Sequence, residues 1–226
     1  MQETSKSGEL GLPLVFDRPM AIIGGGRVDA DLLRELAARG VALVGADGGG
    51  DTIGEAGLVP DAIIGDLDSL SDRAAWEART RVIHIPEQLT SDFQKALYST
   101  QAPFTLALGM MGKRIDHTLV AISAILKVAH ERRALLIDEV DLAMAVSGPF
   151  RFTAEPGERI SIHPIQPTSF RCSTGLVYPL NGLVLEPLGR LGMSNEAEGG
   201  PVEIEPEDDT PWLLILRKER LWDLIA

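Results

Sequence analysis

The stretch AIIGDLDSL, residues 62–70, joins an uninterrupted apolar run to two carboxylates, Asp66 and Asp68. A continuous apolar run of this length is typical of a strand buried on both faces of a sheet. The two aspartates therefore stand where that strand is expected to end. One such pair is common in surface loops, because Asp also favours turns and helix starts. The pattern becomes informative because it recurs along the chain.

Three further aspartates follow other apolar runs: Asp47 after VALVGA, Asp92 after VIHIPEQLTS and Asp116 after FTLALGMMGKRI. In an open α/β sheet, the carboxyl ends of the strands meet at one edge, and ligands bind there. We therefore expect all of these aspartates on one edge. Asp66 and Asp68 are two residues apart, so in an extended segment their side chains point the same way, with Cα atoms about 6–7 Å apart.

Two carboxylates in this arrangement can hold one Mg²⁺, a hard cation that prefers oxygen ligands and shares them with substrate phosphates. Turn or helix capping explains each aspartate equally well when it is taken alone. Their joint position favours a site for a metal and a polyanion. Glycine-rich turns support this interpretation, because IIGGGR (22–27) and ADGGGD (46–51) offer backbone amides to phosphate. In the first turn, Gly25 and Arg27 are the candidate nucleotide contacts.

The two best-known nucleotide-binding sequences are absent. Asp29 stands where the dinucleotide fingerprint needs its third glycine, and GMMGKR has neither the spacing nor the Ser/Thr of a Walker A loop. The segment GKRIDHTL (112–119) supplies Lys113 and Arg114, which can neutralise phosphate charge. A basic turn before a helix is the alternative interpretation of this segment.

Up to about residue 148, short apolar runs alternate with helical patterns. This alternation predicts an α/β domain over residues 19–148, with a largely parallel sheet and helices on both faces. The predicted strands are 20–24, 41–45, 61–65, 81–85, 103–108 and 133–138. The predicted helices are DADLLRELAARG (29–40), TSDFQKALYST (90–100) and DHTLVAISAILKVAH (116–130), the last with Leu119, Ile122 and Leu126 on one side.

After residue 148, Pro and Gly become frequent and the helical spacing disappears. Residues 149–226 are therefore predicted to form a small all-β sandwich domain of antiparallel strands. Residues 1–18 are predicted to be a polar N-terminal extension.

Composition excludes several classes of protein. The 226 residues, 45% of them hydrophobic, suffice for one large domain or two modest ones. A net charge of −12 disfavours nucleic-acid binding, which needs a basic face. Cys172 is the only cysteine, so an internal disulfide is impossible. No segment resembles a secretory signal or a membrane helix of about 18 apolar residues, so a cytoplasmic location is expected.

Six segments occur in the order that is seen in thiamin pyrophosphokinases: ADGGGD, PDAIIGDLDSL, EQLTSDFQKAL, GKRIDHTL, STGLVYPL and GMSNE. The chain resembles that family from about residue 20 to residue 217. The resemblance implies transfer of the pyrophosphoryl group of ATP to the hydroxyl of thiamin, giving thiamin diphosphate and AMP. It also implies Mg²⁺ as cofactor, an α/β domain followed by a β-sandwich, and a homodimer with its sites at the subunit interface.

Matching the motifs position by position assigns roles to individual residues. The resemblance implies that Asp66, Asp68 and Asp92 bind the metal. It places Asp47 beside the reacting centre, and both Asp47 and Asp116 remain candidates for accepting the proton of the alcohol. The positions that match the nucleotide and the transferred group are Gln88, Lys95, Arg114 and Asp116. The positions that match the thiamin-binding region are Tyr178, Ser194 and Asn195.

Three other functions fit parts of the sequence. A diphosphokinase acting on another alcohol, such as a hydroxymethyl pterin, would share the ATP and metal motifs but not GLVYPL and GMSNE. A glycosyltransferase that used DLD as its metal motif would leave Asp92 and KRIDH unexplained. A non-catalytic nucleotide or thiamin sensor would bind without producing AMP.

Overall fold

The computed structural model of the chain describes residues 13–225. The described residues form two compact units that divide between Pro103 and Phe104. Most of the predicted N-terminal extension, residues 1–12, lies outside the described residues. Within residues 13–225, no helix has the length and apolar character needed to cross a membrane.

The first unit contains a parallel arrangement of strands with helices between them. Its elements are, in chain order, β1 (Leu14–Val15), β2 (Met20–Ile23), α1 (Ala30–Ala38), β3 (Ala42–Ala46), α2 (Gly49–Glu55), β4 (Ala62–Gly65), α3 (Arg73–Glu77), β5 (Arg81–His84), α4 (Asp92–Tyr98) and β6 (Thr100–Gln101). Strands β2, β3, β4 and β5 pair side by side in that order, and every pair is parallel. The short β1 pairs in parallel with β6. All residues of β2, β3 and β4 are buried, as their continuous apolar runs predict.

Two helices of this unit begin where their capping residues predict. The side chain of Asp29 accepts hydrogen bonds from the first backbone amides of α1, and Leu33 and Leu36 form its buried face. Ser91 and Gln94 form a reciprocal capping box at the start of α4. These caps satisfy amides that have no partner within the helix, so each helix start is fixed in position.

The second unit contains a mixed sheet and a separate antiparallel sheet. Its elements are, in chain order, β7 (Phe104–Leu108), α5 (Ile115–Lys127), β8 (Arg133–Ile137), β9 (Asp141–Val146), β10 (Phe150–Ala154), β11 (Arg159–Pro164), β12 (Thr168–Thr174), β13 (Leu183–Leu185), β14 (Gly192–Glu196), β15 (Gly200–Pro206), β16 (Trp212–Arg217), a short 3₁₀ turn (Lys218–Arg220) and α6 (Leu221–Ile225). In the mixed sheet, β7 is parallel to β8, whereas β9 is antiparallel to both β8 and β16. Strands β16, β11 and β14 continue this sheet in antiparallel pairs. The second sheet has the strand order β10, β15, β12, β13 and is antiparallel throughout.

The predicted α/β character is confirmed at the level of a large mixed sheet with helices. Strands after residue 148 pair in antiparallel fashion, as the sequence predicts, and Phe170 of β12 meets Trp212 of β16 edge to face with ring centroids 5.8 Å apart. This buried contact joins the two sheets of the second unit. The mixed sheet also includes β9, which precedes residue 148 and pairs with β16. Residue 148 is therefore not a border between sheets.

Helix α5 is present where it is predicted, but its buried side differs in part from the expected one. Leu119 is 59% exposed, while Ala121, Ala124 and Ile125 are buried. Leu126, one of the three residues predicted on one side, is also buried, so the predicted side agrees with the packed face only in part.

Candidate active site

Three carboxylates converge at the carboxyl ends of β3 and β4. One oxygen from each of Asp47, Asp66 and Asp68 lies within 4.8 Å of the other two. Asp47 directly follows β3 and takes a positive φ of 49°, while Asp66 and Asp68 follow β4. Three carboxylates so close together repel one another unless a cation neutralises them.

The most buried member of this cluster, Asp47, has an unsatisfied oxygen. Asp47 is 4% exposed, and its Oδ2 accepts a hydrogen bond from the backbone amide of Ser69 at 3.1 Å. Its Oδ1 atom is buried and has no hydrogen-bond partner. Burial raises the pKa of Asp47, the hydrogen bonds from Ser69 lower it, and the neighbouring Asp92 and Asp68 add to the rise. A cation held between the three carboxylates would satisfy this oxygen, so the residues fit a hard divalent metal.

A buried lysine joins the cluster to Asp92. The Nζ atom of Lys95 donates to Asp66 Oδ2 at 3.1 Å and to Asp92 Oδ1 at 3.0 Å. Gln88 Nε2 donates to the same Asp66 oxygen at 2.9 Å. Burial raises the pKa of Asp66, but hydrogen bonds from Gln88 and Lys95 outweigh burial and leave this pKa below its usual value. Both charges of the Lys95–Asp66 pair are therefore favoured at neutral pH.

The environment of Asp92 differs from that of the other two residues predicted to bind metal. Asp92 Oδ1 accepts hydrogen bonds from Lys95 Nζ and from the backbone amide of Asp66, the latter at 3.2 Å. The carboxylate that completes the close cluster with Asp66 and Asp68 is that of Asp47. Asp92 instead forms an ion pair with Lys95, which also donates a hydrogen bond to Asp66.

Residues 66–71, which we name the acidic loop, are held by several polar contacts. Leu67 takes a left-handed φ of 65°, and Ser69 Oγ donates to Asp68 Oδ1 at 2.9 Å. At the far end of the loop, the Ser71 amide donates to Asp51 Oδ2 at 2.8 Å. Sequence reasoning did not single out Asp51. Its only signal in the sequence is that it ends the glycine-rich segment ADGGGD, which begins just before Asp47.

Two glycines allow the close approaches that assemble this region. A Cβ atom on Gly65 would lie 2.9 Å from the Cβ atom of Asp47 and 3.1 Å from Asp92 Oδ1. A Cβ atom on Gly49 would lie 1.7 Å from the carbonyl oxygen of Ile23, so α2 begins in direct contact with the end of β2. Part of the glycine-rich ADGGGD turn thus serves packing, in addition to the phosphate contacts that the sequence suggests.

Gly25 and Arg27, the predicted nucleotide contacts, lie exposed after β2. In the second unit, Lys113 is exposed just before α5. Arg114 and Asp116 form an exposed ion pair, with Arg114 Nε 3.0 Å from Asp116 Oδ1. The hydrogen bond from Arg114 is the main reason that the pKa of Asp116 falls to about 2. Asp116 is therefore a weak proton acceptor while this pair persists.

The predicted thiamin contacts form a local group in the second unit. The side-chain amide of Asn195 is 3% exposed and pairs with the backbone of Tyr178: Oδ1 accepts from the Tyr178 amide at 3.1 Å, and Nδ2 donates to the Tyr178 carbonyl at 2.7 Å. Tyr178 itself is 64% exposed. Ser194 has a positive φ of 55°, and its amide donates to Ser161 Oγ. Asn195 thus holds the backbone that presents Tyr178 to solvent.

Comparison with known proteins matches the part of the chain that contains the carboxylate cluster to one family. Residues 33–137 match the family model described as the catalytic domain of thiamin pyrophosphokinase. The predicted family resemblance is confirmed. The matched range contains the carboxylate cluster and both members of the Arg114–Asp116 pair, whereas Tyr178, Ser194 and Asn195 lie outside it.

Individual thiamin pyrophosphokinases resemble the chain in sequence and in fold. Thiamin pyrophosphokinase 1 of Caenorhabditis elegans is 28% identical over 152 residues, which is 61% of this chain. That alignment spans 62% of the length of the worm protein. The structure of thiamin pyrophosphokinase from Candida albicans matches with a TM-score of 0.78 and 18% identity, covering 89% of each chain. The Bacillus subtilis enzyme matches with a TM-score of 0.72 and 23% identity, covering 88% of this chain and 99% of that one. At these identities, the two structures show that the fold is shared.

Proposed function

We propose that this protein is a thiamin pyrophosphokinase, which transfers the pyrophosphoryl group of ATP to thiamin and yields thiamin diphosphate and AMP. The observation that carries the proposal is the carboxylate cluster of Asp47, Asp66 and Asp68, with its unsatisfied buried oxygen, inside the segment that matches the family's catalytic domain. Phosphoryl-type transfer relies on positioning and charge neutralisation more than on covalent catalysis. A cluster of carboxylates at a sheet edge suits that requirement once it holds a cation.

We propose that Asp66 and Asp68 are metal ligands and that Asp47 belongs to the same site. Bound there, Mg²⁺ would neutralise ATP oxygens and the charge that develops on the departing AMP. Asp92, predicted as a third ligand, is proposed to act by anchoring Lys95. Lys95 in turn holds Asp66 at 3.1 Å and keeps a positive charge beside the cluster.

In the proposed reaction, the hydroxyl oxygen of thiamin attacks the β-phosphorus of ATP, and the bond from that phosphorus to the α-phosphate oxygen breaks. The hydroxyl proton passes to a carboxylate, for which Asp47 and Asp116 are the candidates. Arg114 must release Asp116 before Asp116 can accept a proton, because their ion pair holds its pKa at about 2. Contact of Arg114 with phosphate would provide that release.

Phosphate contacts are proposed for the exposed residues near the two turns and for the polar side chains beside the cluster. These are Gly25, Arg27, Gln88, Lys95, Lys113 and Arg114. The basic residues among them can offset the triphosphate charge, and Arg can do so through two parallel hydrogen bonds.

The cytoplasmic location expected from the sequence stays a prediction.

We propose that the thiamin ring stacks on Tyr178, with Ser194 or Asn195 hydrogen-bonding its pyrimidine. The exposed Tyr178 ring and its anchored backbone support this role. The protein is proposed to be a homodimer in which residues 149–226 of one subunit complete a site on residues 19–148 of the other. Neither nucleic acid nor a membrane is a proposed partner.

The test is identification of both products after incubation with ATP, Mg²⁺ and thiamin. AMP and thiamin diphosphate are expected in equal amounts. Formation of ADP and thiamin monophosphate would overturn the pyrophosphoryl transfer. Binding of thiamin without any AMP would instead indicate a sensor. Turnover of a hydroxymethyl pterin but not of thiamin would indicate the related diphosphokinase.

A further inference from the structure

Two carboxylates near the start of α2 accept hydrogen bonds from alternate residues of the acidic loop. Asp47, just before the helix, accepts the amide of Ser69 at 3.1 Å. Asp51, within the helix, accepts the amide of Ser71 at 2.8 Å through Oδ2 and the Ser71 hydroxyl at 2.9 Å through Oδ1. The backbone of the loop is therefore held at two points, by Asp51 within α2 and by Asp47 just before it.

Asp51 is itself held from another direction. The indole Nε1 of Trp76 donates to Asp51 Oδ1 at 2.8 Å, and Trp76 is 6% exposed. The Trp76 ring packs in a buried cluster with Ile63 and Leu70 and lies against Gly54, where a Cβ atom would come within 2.8 Å of it. A close-packed indole cannot move without disturbing its neighbours, so it fixes the orientation of the Asp51 carboxylate.

The acidic loop needs such support because of its backbone. Leu67, between the two aspartates, has a φ of 65°, a conformation that a residue with a Cβ atom adopts at a cost and retains only when its surroundings impose it. The relative positions of Asp66 and Asp68 depend on that conformation. Lys95 and Asp92 of α4 hold the loop at Asp66, and the contacts at Ser69 and Ser71 hold the part of the loop that follows Asp68.

We propose that Asp51, oriented by Trp76, is a positioning residue that holds the acidic loop in the geometry with which Asp66 and Asp68 bind a divalent cation. The inference rests on the metal site of the proposed function. Asp51 acts through Ser71 and the loop and does not itself contact the metal.

The test measures metal binding directly, without nucleotide or turnover. Mn²⁺ is titrated into the full-length protein, and the free ion is quantified by electron paramagnetic resonance. Asp51→Asn keeps the size of the side chain and one acceptor oxygen, but its amide nitrogen cannot accept from the Ser71 amide. The Kd for Mn²⁺ is expected to rise about 10-fold, the lower end of the effect seen when groups that orient metal ligands are removed. Hydrogen exchange at the Ser71 amide should become faster.

Asp72→Asn is the matched control. Asp72 directly follows the acidic loop and caps α3 by accepting from the Ala75 amide at 3.0 Å. Asn caps helices about as well as Asp, so this replacement should leave both the melting temperature and the Kd for Mn²⁺ nearly unchanged. In the activity assay, Asp51→Asn should raise the half-saturating Mg²⁺ concentration and leave kcat at saturating Mg²⁺ nearly unaltered. A purely structural role for Asp51 would not change the half-saturating Mg²⁺ concentration while leaving kcat at saturating Mg²⁺ unaltered.

The outcomes distinguish the inference from the proposed function. Wild-type protein that binds no Mn²⁺ would overturn the metal site and this inference together. Wild-type binding with an unchanged Kd in Asp51→Asn would overturn the positioning role alone, as would an equal weakening by Asp72→Asn. If Asp51→Asn does not fold, Trp76→Phe removes the indole hydrogen bond that orients Asp51, and an unchanged Kd in that variant would also overturn the role.

Discussion

The ammonium group of Lys95 bridges two carboxylates, with Nζ 3.1 Å from Asp66 Oδ2, although the Lys95 side chain is only 1% exposed. Burial alone would lower the pKa of Lys95, but hydrogen bonds and charge from Asp92 and Asp66 outweigh burial and raise it. The lysine therefore stays protonated and serves as an internal counter-ion. The carboxylates are less buried, since the side chains of Asp66 and Asp92 are 14% and 31% exposed.

Lys95→Met should destabilise the protein because it leaves Asp66 and Asp92 facing each other without the cation. Breaking a buried ion pair costs about 3–5 kcal/mol, and the partial exposure of Asp92 puts the expected loss near the lower end. Urea unfolding measures this loss. Excess Mg²⁺ should stabilise Lys95→Met more than wild type, because the metal supplies part of the missing charge. Lys127→Met, at an exposed position, should change the free energy of unfolding by less than about 0.5 kcal/mol.

Asp66→Asn and Asp68→Asn should each lower kcat by about two orders of magnitude or more, the effect of removing a main electrostatic stabiliser. In metal-free buffer, Asp68→Asn should keep a melting temperature close to that of wild type, since fewer negative charges then repel one another. Asp66→Asn should lower the melting temperature but still fold, because it removes one partner of the buried Lys95. Asp31→Asn is the control, because the Asp31 side chain is 92% exposed on α1. Wild-type kcat in both cluster variants, or full activity in EDTA, would contradict the assignment.

Tyr178→Ala should raise the KM for thiamin and leave the KM for ATP nearly unchanged. One aromatic contact contributes about 0.5–1.5 kcal/mol, so the expected rise is about 2- to 12-fold. Tyr178→Phe keeps the ring and should behave like wild type. Steady-state kinetics with each substrate varied in turn provides the measurement, and an equal rise for both substrates would argue against stacking of thiamin on Tyr178.

The proposed subunit arrangement is testable with hybrid dimers. An inactive Asp68→Asn chain is mixed with a chain that carries Tyr178→Ala and Ser194→Ala. If each site uses residues from both subunits, a hybrid dimer keeps one intact site and partial activity should return. A monomer in solution, or no recovery after hybrids have been demonstrated, would mean that each site is built within one chain.

Alkylation of Cys172 should be slow near neutral pH. Its thiol donates to Glu205 Oε2 at 3.2 Å, and this hydrogen bond is the main reason that the pKa of Cys172 is raised above its usual value. A raised pKa means less thiolate at any given pH, and the thiolate is the reactive form. Glu205→Gln removes the negative charge, so the alkylation profile should shift to lower pH. Glu203→Gln removes a more weakly coupled charge and should shift the profile less.

Most of the α/β part was predictable because strands buried on both faces leave continuous apolar runs. The predicted strands agree with β2 to β5, β7 and β8 to within one residue at every end. Helices α2 and α3 have only seven and five residues and lack a long apolar repeat, so no helical pattern in the sequence predicted them. Packing against the sheet, rather than propensity, holds such short helices.

The candidate site was predictable as a set of strand ends but not as a geometry. Position after a strand places Asp66, Asp68 and Asp47 on one edge. Which oxygens converge depends on the positive φ of Asp47, and no pattern of residue types encodes that angle. Asp51 was missed for a similar reason, since its role follows from contacts with Ser71 and Trp76 that are distant in sequence.

The close contact between the start of α2 and the end of β2 affects how natural variants of this protein should be interpreted. Gly49 leaves no space for a methyl group against the carbonyl of Ile23, so any larger residue must displace the helix. Asp47 and Asp51 would move with the helix as one body, and the loop tied to them would follow. An inherited loss of activity at codon 49 would then coexist with an unaltered set of metal ligands, and screening only the acidic positions would overlook it.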